Sequence, residues 1–573
     1  MNDSETTPRL PDRRAFLGYF SSIGLGGTLL PGVLWAKVAD GAEITEETVE
    51  CAAEVAGLQF DEAERRLMVQ NLRQQQRQIE ELRRIPLANS VSPALVFDPV
   101  PPGTRIPSGP EREPDAVVVS RAPAVRVPES RDELAFLPVT ALSELVRTRK
   151  VTSVQLTRMY LDRIRRFDPV LQAAVTVTEE RALRQAEEMD REISRGRYRG
   201  PLHGIPWGAK DLLAVRGYPT TWGAAPFREQ VVDEDATVVK RLDEAGAVLV
   251  AKLTLGALAM GDVWFGGVTK NPWKTDQGSS GSSAGPGSAT AAGLVGFSIG
   301  SETLGSISSP STRNGVTGLR PTFGRVPRTG AMALSWTMDK LGPMCRSVED
   351  CALVFDAIRG PDGEDTTVRP APFRYDARTR ISDLRIGYFR AAFERDEKDY
   401  PNRPFDQATL EVLRRQGADL VPVELPEAGY NAMRLILTAE AGAAFDELTR
   451  SGRDDELTDQ GPNAWPNTFR AARLIPAVEY INANRARTLA MRAWAELFSR
   501  VDVIVAPTSG TQLVATNLTG HPAVILPNGF REDGTPVSVT FLGGLFEEGK
   551  LLAVASAYQR ATDFHLRRPP SFA

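Results

Sequence analysis

Cysteine and histidine are scarce in this chain, three of each among 573 residues, and their scarcity removes several chemistries together. The cysteines, Cys51, Cys345 and Cys351, are odd in number and include no Cys-x-x-Cys pair. Neither a zinc ribbon nor a disulfide framework is indicated, and buried thiols are expected. No His-Glu-x-x-His occurs, which leaves metal-dependent hydrolysis without its ligands. Glycine-rich stretches exist, but none ends in the Gly-Lys-Ser/Thr of a phosphate loop, and none reads Gly-x-Gly-x-x-Gly with an acidic residue after it. Aromatic residues make up 7 %, and a formal charge of −5 offers no basic surface of the kind that phosphate neutralisation demands, so nucleic acid is not an expected partner. Neither a metal nor an organic cofactor is called for.

What is present is ordinary globular composition, 42 % hydrophobic and 25 % charged. The length exceeds the usual single core of about 100 to 250 residues. Segment 1–42 joins Arg13 and Arg14 to Phe16, Leu17 and a Gly/Ser/Leu-rich apolar run. Gly24, Gly26, Gly27 and Pro31 break that run, which makes it a poor membrane span, since a span needs about 20 predominantly apolar residues. The combination resembles a twin-arginine signal, which implies the twin-arginine export machinery as a partner and a periplasmic or secreted protein. Segment 43–131 is helical and then Pro-rich. Two polar helices are expected within 44–85, the first with Val49, Ala52, Ala53 and Ala56 on one face, the second opened by Asp61 with Glu64 three residues on. Residues 86–131 carry Pro99, Pro101, Pro102, Pro107 and Pro110 and read as extended chain. Such a stretch suits either a strap over another surface or a solvated linker.

Segment 132–573 alternates helix and strand. Thr152 with Gln155 caps a helix whose Leu156, Tyr160, Ile164 and Phe167 recur at helical spacing and which Asp168-Pro169 is expected to end. A helix over 236–246 leads to the apolar run at 248–251, and one over 407–416 leads through Gly417 to 420–423. Further apolar runs lie at 384–389, 501–506, 523–526 and 537–542. The alternation argues for α/β layering around a largely buried sheet.

The most informative stretch is 278–309. It opens with Gly-Ser-Ser-Gly-Ser-Ser-Ala-Gly-Pro-Gly-Ser, passes through a small apolar run at 289–299 and closes on Gly300-Ser-Glu-Thr-Leu-Gly-Ser306-Ile-Ser-Ser309. A flexible linker would stay polar throughout. Here a helix and a strand are expected between two serine-bearing turns, and a serine on a Gly-rich turn exposes its hydroxyl while neighbouring N–H groups face a developing oxyanion.

Asn271-Pro-Trp, Gly281-Ser282-Ser283-Ala-Gly285 and Ser301-Glu-Thr-Leu-Gly-Ser306-Ile307 together resemble the amidase signature family. The likeness runs from about Leu134 to the end and includes Leu202-His-Gly-Ile-Pro206-Trp-Gly-Ala-Lys210-Asp211, the Gly315 to Val326 stretch, Met338-Asp339-Lys-Leu-Gly-Pro343 and Ala506-Pro-Thr508. The resemblance implies one large amidase domain over 132–573, with a mixed β-sheet core flanked by helices. It also implies a Ser-Ser-Lys triad, in which a serine in a cis peptide lies 24 residues before the nucleophile. That spacing selects Ser282 and Ser306 over Ser279, and Lys210 becomes the general base. Backbone N–H groups of Thr303, Leu304, Gly305 and Ser306 are the implied oxyanion hole. The implied reaction is hydrolysis of a small-molecule or peptide amide through an acyl-enzyme, without cofactor. A homodimer is compatible with it.

Two departures from the family pattern stand out. Its Asp-x-Gly-Gly-Ser becomes Glu302-Thr-Leu304-Gly-Ser306, and its usual arginine two residues past the nucleophile is Ser308. Leu304 is expected to narrow the acyl side of the pocket. His203 is the rival base, because a Ser-His pair is the commoner device. Trp207, Trp222, Met260, Trp264 and Trp336 suit either a pocket wall or core. Two other functions fit the chain. One is the catalytic subunit of a glutamine-dependent aminoacyl-tRNA amidotransferase, whose small wrapping C subunit resembles 43–131; the other is a non-catalytic binding protein on the same fold.

Overall fold

The computed structural model describes residues 44–573 apart from 83, 86–87, 92–94, 111–115, 121–124, 397 and 399; the arginine pair and apolar run of 1–42 lie outside the described residues. The chain divides into two compact units, Met1–Ala88 and Asn89–Ala573. In the first, α1 (Glu46–Ala56) is capped by Thr45 and buries Val49 and Ala53, while Ala52 stays exposed. Helix α2 (Glu62–Leu82) opens on a reciprocal cap. Asp61 Oδ1 accepts the Glu64 N–H at 2.9 Å, and Glu64 Oε2 accepts the Asp61 N–H at 2.8 Å.

The second unit is built on a mixed sheet of eleven strands with helices on both faces. Helix α3 (Ser153–Leu171) starts at the expected Thr152–Gln155 box but runs past Asp168 and Pro169. Proline is tolerated there because the Asp168 carboxylate and carbonyl together accept the N–H groups of Gln172, Ala173 and Ala174, which closes the final turn without it. In chain order the strands are β1 (Ala174–Val177), β2 (Pro206–Lys210), β3 (Val248–Leu253), β4 (Phe297–Glu302), β5 (Thr317–Arg320), β6 (Lys340–Cys345), β7 (Ile386–Phe389), β8 (Leu420–Val423), β9 (Val503–Pro507), β10 (Ala523–Phe530) and β11 (Pro536–Gly543). Across the sheet they run β8-β7-β9-β11-β10-β5-β6-β4-β2-β3-β1. The pairs β8/β7, β7/β9, β4/β2 and β2/β3 are parallel and the rest antiparallel.

Alternation along β9, β10 and β11 sorts side chains to two cores. Val503, Val505, Val524, Leu526, Val539 and Phe541 join one cluster, and Ile504, Ala506, Ala523, Ile525 and Leu542 join another. Between the serine turns lie α4 (Ala284–Ala291) and β4, as the small apolar run leads one to expect, and α5 (Ser308–Asn314) follows. Farther along, α6 (Val348–Ile358) and α9 (Glu548–Arg560) pack into the first cluster. Helices α7 (Ala477–Arg500) and α8 (Thr511–Thr519) pack into the second. Strands β1, β2, β5 and β6 and helices α5 to α9 go beyond the sequence reading. Cys345 and Cys351 are buried thiols, and Cys51 is half-buried.

Residues 89–131 belong to the second unit. Val117 and Val118 pair in parallel with Tyr375 and Asp376, and Ser120 donates its N–H and hydroxyl to Glu349 at 3.0 and 2.7 Å. Among the described residues no helix is long and apolar enough to cross a membrane.

Candidate active site

Neighbouring parallel strands β2 and β4 end side by side, which is where α/β sheets place their ligands. Lys210 is the last residue of β2, and Ser301 and Glu302 are the last two of β4. Ser282 and Ser283 form the turn entering α4, and the Gly281–Ser282 peptide is cis. Gly281 is obligatory at this turn because a Cβ there would lie 1.8 Å from the Gly261 carbonyl oxygen.

Lys210 is fully buried, and its Nζ lies 2.8 Å from Ser282 Oγ, 3.0 Å from Ser283 Oγ and 2.9 Å from Ser301 Oγ. Desolvation pushes the amine well below the ordinary lysine range, against the opposing pull of Asp339 and Glu302. Ser283 is itself fixed, since its hydroxyl donates to the Ser301 carbonyl at 3.1 Å and accepts the Ser301 N–H at 3.2 Å. Sequence reading missed Ser283 and Ser301 as partners of the lysine; Ser301 is brought to it by strand register, two residues beyond Ile299, the partner of Ala209.

Ser306 is half-buried on the turn between β4 and α5. Its carbonyl accepts the Ser283 N–H at 3.1 Å, which ties the two serine turns together. No hydrogen bond joins the Ser306 and Ser282 hydroxyls, so the structure brings Lys210 and Ser282 into contact and sets Ser306 beside them through the backbone. Among the described residues the N–H groups of Thr303, Leu304, Gly305 and Ser306 have no internal partner. Gly305 has φ +96°, a left-handed conformation that favours glycine. Thr303 donates its hydroxyl to Asp339 at 2.5 Å, and Leu304 packs against the cluster around Trp494.

Glu302 organises this turn from below. Its Oε2 accepts the N–H groups of Ile307 and Ser308 and the Ser308 hydroxyl at 2.8 to 2.9 Å. Its Oε1 accepts from Arg320 at 2.7 Å and Asn517 at 2.8 Å. The guanidinium and these donors outweigh burial and hold the carboxyl at about 2. Ser308, where the family pattern has arginine, thus serves as a donor to Glu302, and Arg320 brings positive charge from β5.

The remaining candidates fall away from this point. Ser279 lies buried, and its carbonyl accepts from Asn314 at 2.9 Å. His203 is held through both ring nitrogens, Nδ1 accepting the Arg199 N–H at 3.3 Å and Nε2 facing the Met189 carbonyl at 3.0 Å. Asp211 pairs with buried Lys252 at 2.7 Å. His521 packs between Trp494 and Phe498, and Trp207 stacks on Phe297 in the core. A cavity of about 370 Å³ opens beside Ser301 and Thr303, and Trp336 lines it.

Comparison with known proteins places the chain in a family. The amidase family model matches residues 155–515. A glutamyl-tRNA(Gln) amidotransferase subunit of Chloroflexus aggregans is 35 % identical over 486 residues, covering 76 % of this chain and 99 % of that relative. The protein of the same name from Moorella thermoacetica is 34 % identical, covering 76 % and 99 %. The native peptide amidase structure from Stenotrophomonas maltophilia superposes with a TM-score of 0.68 at 32 % identity, covering 77 % of this chain and 99 % of that one. The protein therefore belongs to the amidase family, that of the amidase signature enzymes.

Proposed function

We propose that the protein hydrolyses a carbon–nitrogen amide bond, with Ser306 as nucleophile, Ser282 as relay and Lys210 as base. The observation that carries this reading is the buried Lys210–Ser282 contact of 2.8 Å. A neutral amine has one lone pair and two N–H groups. Ser283 Oγ already spends its proton on the Ser301 carbonyl, so it accepts from Lys210. A second N–H directed to Ser301 Oγ leaves the lone pair for the Ser282 proton. Ser282 in turn takes the proton of Ser306 as that oxygen attacks the carbonyl, and the contact between them tightens once substrate fills the site. The proton then passes from Ser282 to the departing amine. Water enters, is deprotonated through the same relay and releases the acid from Ser306. The unpaired N–H groups of Thr303, Leu304, Gly305 and Ser306 line the turn that receives the oxyanion, each donor that reaches it worth about 2.7 to 4 kcal/mol.

Intact-mass analysis after fluorophosphonate treatment tests the nucleophile. One adduct, located on Ser306 and absent from Ser306→Ala, is expected; labelling elsewhere or none in folded protein would refute it. A small-molecule or peptide amide is the substrate class we propose, in keeping with the similarity to peptide amidase.

A second reading draws on the curated relatives, whose names are those of tRNA amidotransferase subunits. In that role the same acyl-enzyme would form from glutamine, and the ammonia would go to glutamyl-tRNA. Glutamine hydrolysis that rises when tRNA and partner proteins are added would favour it. Arg13, Arg14 and the apolar run support export by the twin-arginine route, which argues against a role in tRNA charging. Loss of the exported form on Arg13→Lys with Arg14→Lys would test that proposal.

A further inference from the structure

The 370 Å³ cavity has a wall that the reaction chemistry does not require. Besides Ser301, Thr303 and Trp336 it is lined by Asn89, Leu95 and Val96, from the segment ahead of the matched region 155–515. We propose that this segment closes one side of the substrate cavity and limits the size of the group beside the scissile carbonyl, with Asn89 as the specificity-determining tie. The proposal rests on the reading of Ser306 as nucleophile.

The cavity meets the chemistry through Ser301 and Thr303, since Lys210, Ser282 and Ser306 do not themselves line it. Ser301 Oγ is 2.9 Å from Lys210 Nζ, and Thr303 begins the turn that ends at Ser306. Asn89 then fixes the wall in place. Its Nδ2 donates to the Ala333 carbonyl at 2.8 Å, and its Oδ1 accepts the Ala333 N–H at 2.8 Å. This clasp imitates a strand pair and binds the segment to the loop that carries Trp336. The same Nδ2 reaches the Ala444 carbonyl at 3.4 Å. Beyond the cavity the segment is pinned again, with Phe97 edge-on to Phe323 at 5.1 Å and under the Arg487 guanidinium at 3.4 Å, while Asp98 pairs with Arg369. At about 370 Å³ the cavity is near the lower end of small-molecule sites, roughly 300 to 1,000 Å³. It therefore takes a compact group of mixed polarity. The Chloroflexus relative matches 76 % of this chain with 99 % of its own length, so this chain carries residues that the relative does not supply.

The test compares a compact and a bulky fluorophosphonate on the full chain, reading the rate of Ser306 labelling by mass. Wild type should favour the compact probe at least tenfold. Asn89→Ala should bring that ratio to within threefold of one by speeding the bulky probe, and Ser90→Trp, which adds bulk to the same wall, should raise it. Both variants are first checked for wild-type thermal unfolding and circular dichroism. If Asn89→Ala fails that check, Asn89→Asp, which keeps the acceptor but not the donor, replaces it and should lower the ratio in the same way; if Ser90→Trp fails, Ser90→Leu replaces it and should raise the ratio. A ratio unchanged in folded variants that label at Ser306 overturns the proposal and leaves the nucleophile intact. No labelling by either probe in folded wild type overturns the nucleophile and the proposal together.

Discussion

A lysine can serve as a base only where its neutral form is populated, and the ordinary value near 10.4 forbids this at neutral pH. Lys210 meets the condition by losing its solvent. Its neighbours within hydrogen-bonding reach are hydroxyls and a carbonyl, and no carboxylate touches the amine to hold a proton there. Protonation of Lys210 blocks the relay, so the rate of Ser306 labelling should rise with pH through a single ionisation placed well below the ordinary lysine range. Lys210→Ala should abolish that limb and slow labelling by at least about 100-fold, the usual minimum for a general base. A pH profile unchanged by the substitution would remove Lys210 from the mechanism. Lys210, Ser282 and Ser306 stand out as candidates in the sequence because the stretches around them resemble the family's motifs. Ser283 and Ser301 do not, because a serine that binds an amine only through folding has no local mark. Glu302 is visible only as a departure from the family pattern, and its five donors come from three separate parts of the chain. A glutamine there would present its NH₂ to a donor whichever way it turned, and it would leave Arg320 buried without a counter-charge. Glu302→Gln should therefore cost about 3 to 5 kcal/mol at pH 7, measured by urea unfolding. Because the folded carboxyl lies at about 2 against 4.5 unperturbed, its contribution is complete above pH 4.5 and is lost as pH falls toward 2. The variant should lack that acid-dependent part, about 3 kcal/mol.

Elements place these residues by contact that leaves no room for an added methyl. Helix α4 lies so close to the chain at the start of β1 and the end of β3 that a Cβ on Gly285 would meet the Ala173 carbonyl oxygen at 2.4 Å and the Thr254 nitrogen at 2.5 Å. Both are backbone atoms, so neither can swing aside. Gly285→Ala must move the helix, and with it Ser282 and Ser283 at its entrance. Destabilisation of about 3 kcal/mol, the upper part of the overpacking range, is expected, together with slower labelling of Ser306. Denaturant unfolding and labelling kinetics on the same sample check both. The helix–strand alternation that gives the α/β class is legible wherever an apolar run follows an amphipathic one, as at 236–251. It is not legible for β2, with Pro206 and Gly208, or for β6, with Gly342 and Pro343. Those strands are specified by neighbours on both sides rather than by their own propensity. Pro169 gives the opposite lesson, since local rules end α3 there and the Asp168 side chain carries it one turn further.

At the scale of the molecule, the sheet and its two largest cores build most of the second unit, and described residues of 89–131 are tied to it by a few specific contacts. The parallel pairing of Val117 and Val118, the Ser120–Glu349 bonds and the Phe97–Phe323 contact are each worth about 0.5 to 1.5 kcal/mol, partly offset by the entropy of ordering the segment. Composition leaves a strap and a linker equally open for this segment because its prolines suit both; what separates them is the set of partners on distant strands and loops, which no local pattern records. A chain shortened to begin at Asn89 keeps every one of these contacts, and its urea midpoint is the reference. A chain shortened to begin at Leu134 loses them all while keeping Lys210, Ser282 and Ser306. It should be less stable by about 2 kcal/mol, yet Ser306 should still take a compact fluorophosphonate below the unfolding transition. Equal midpoints for the two shortened chains would mean that the segment lies on the enzyme without stabilising it.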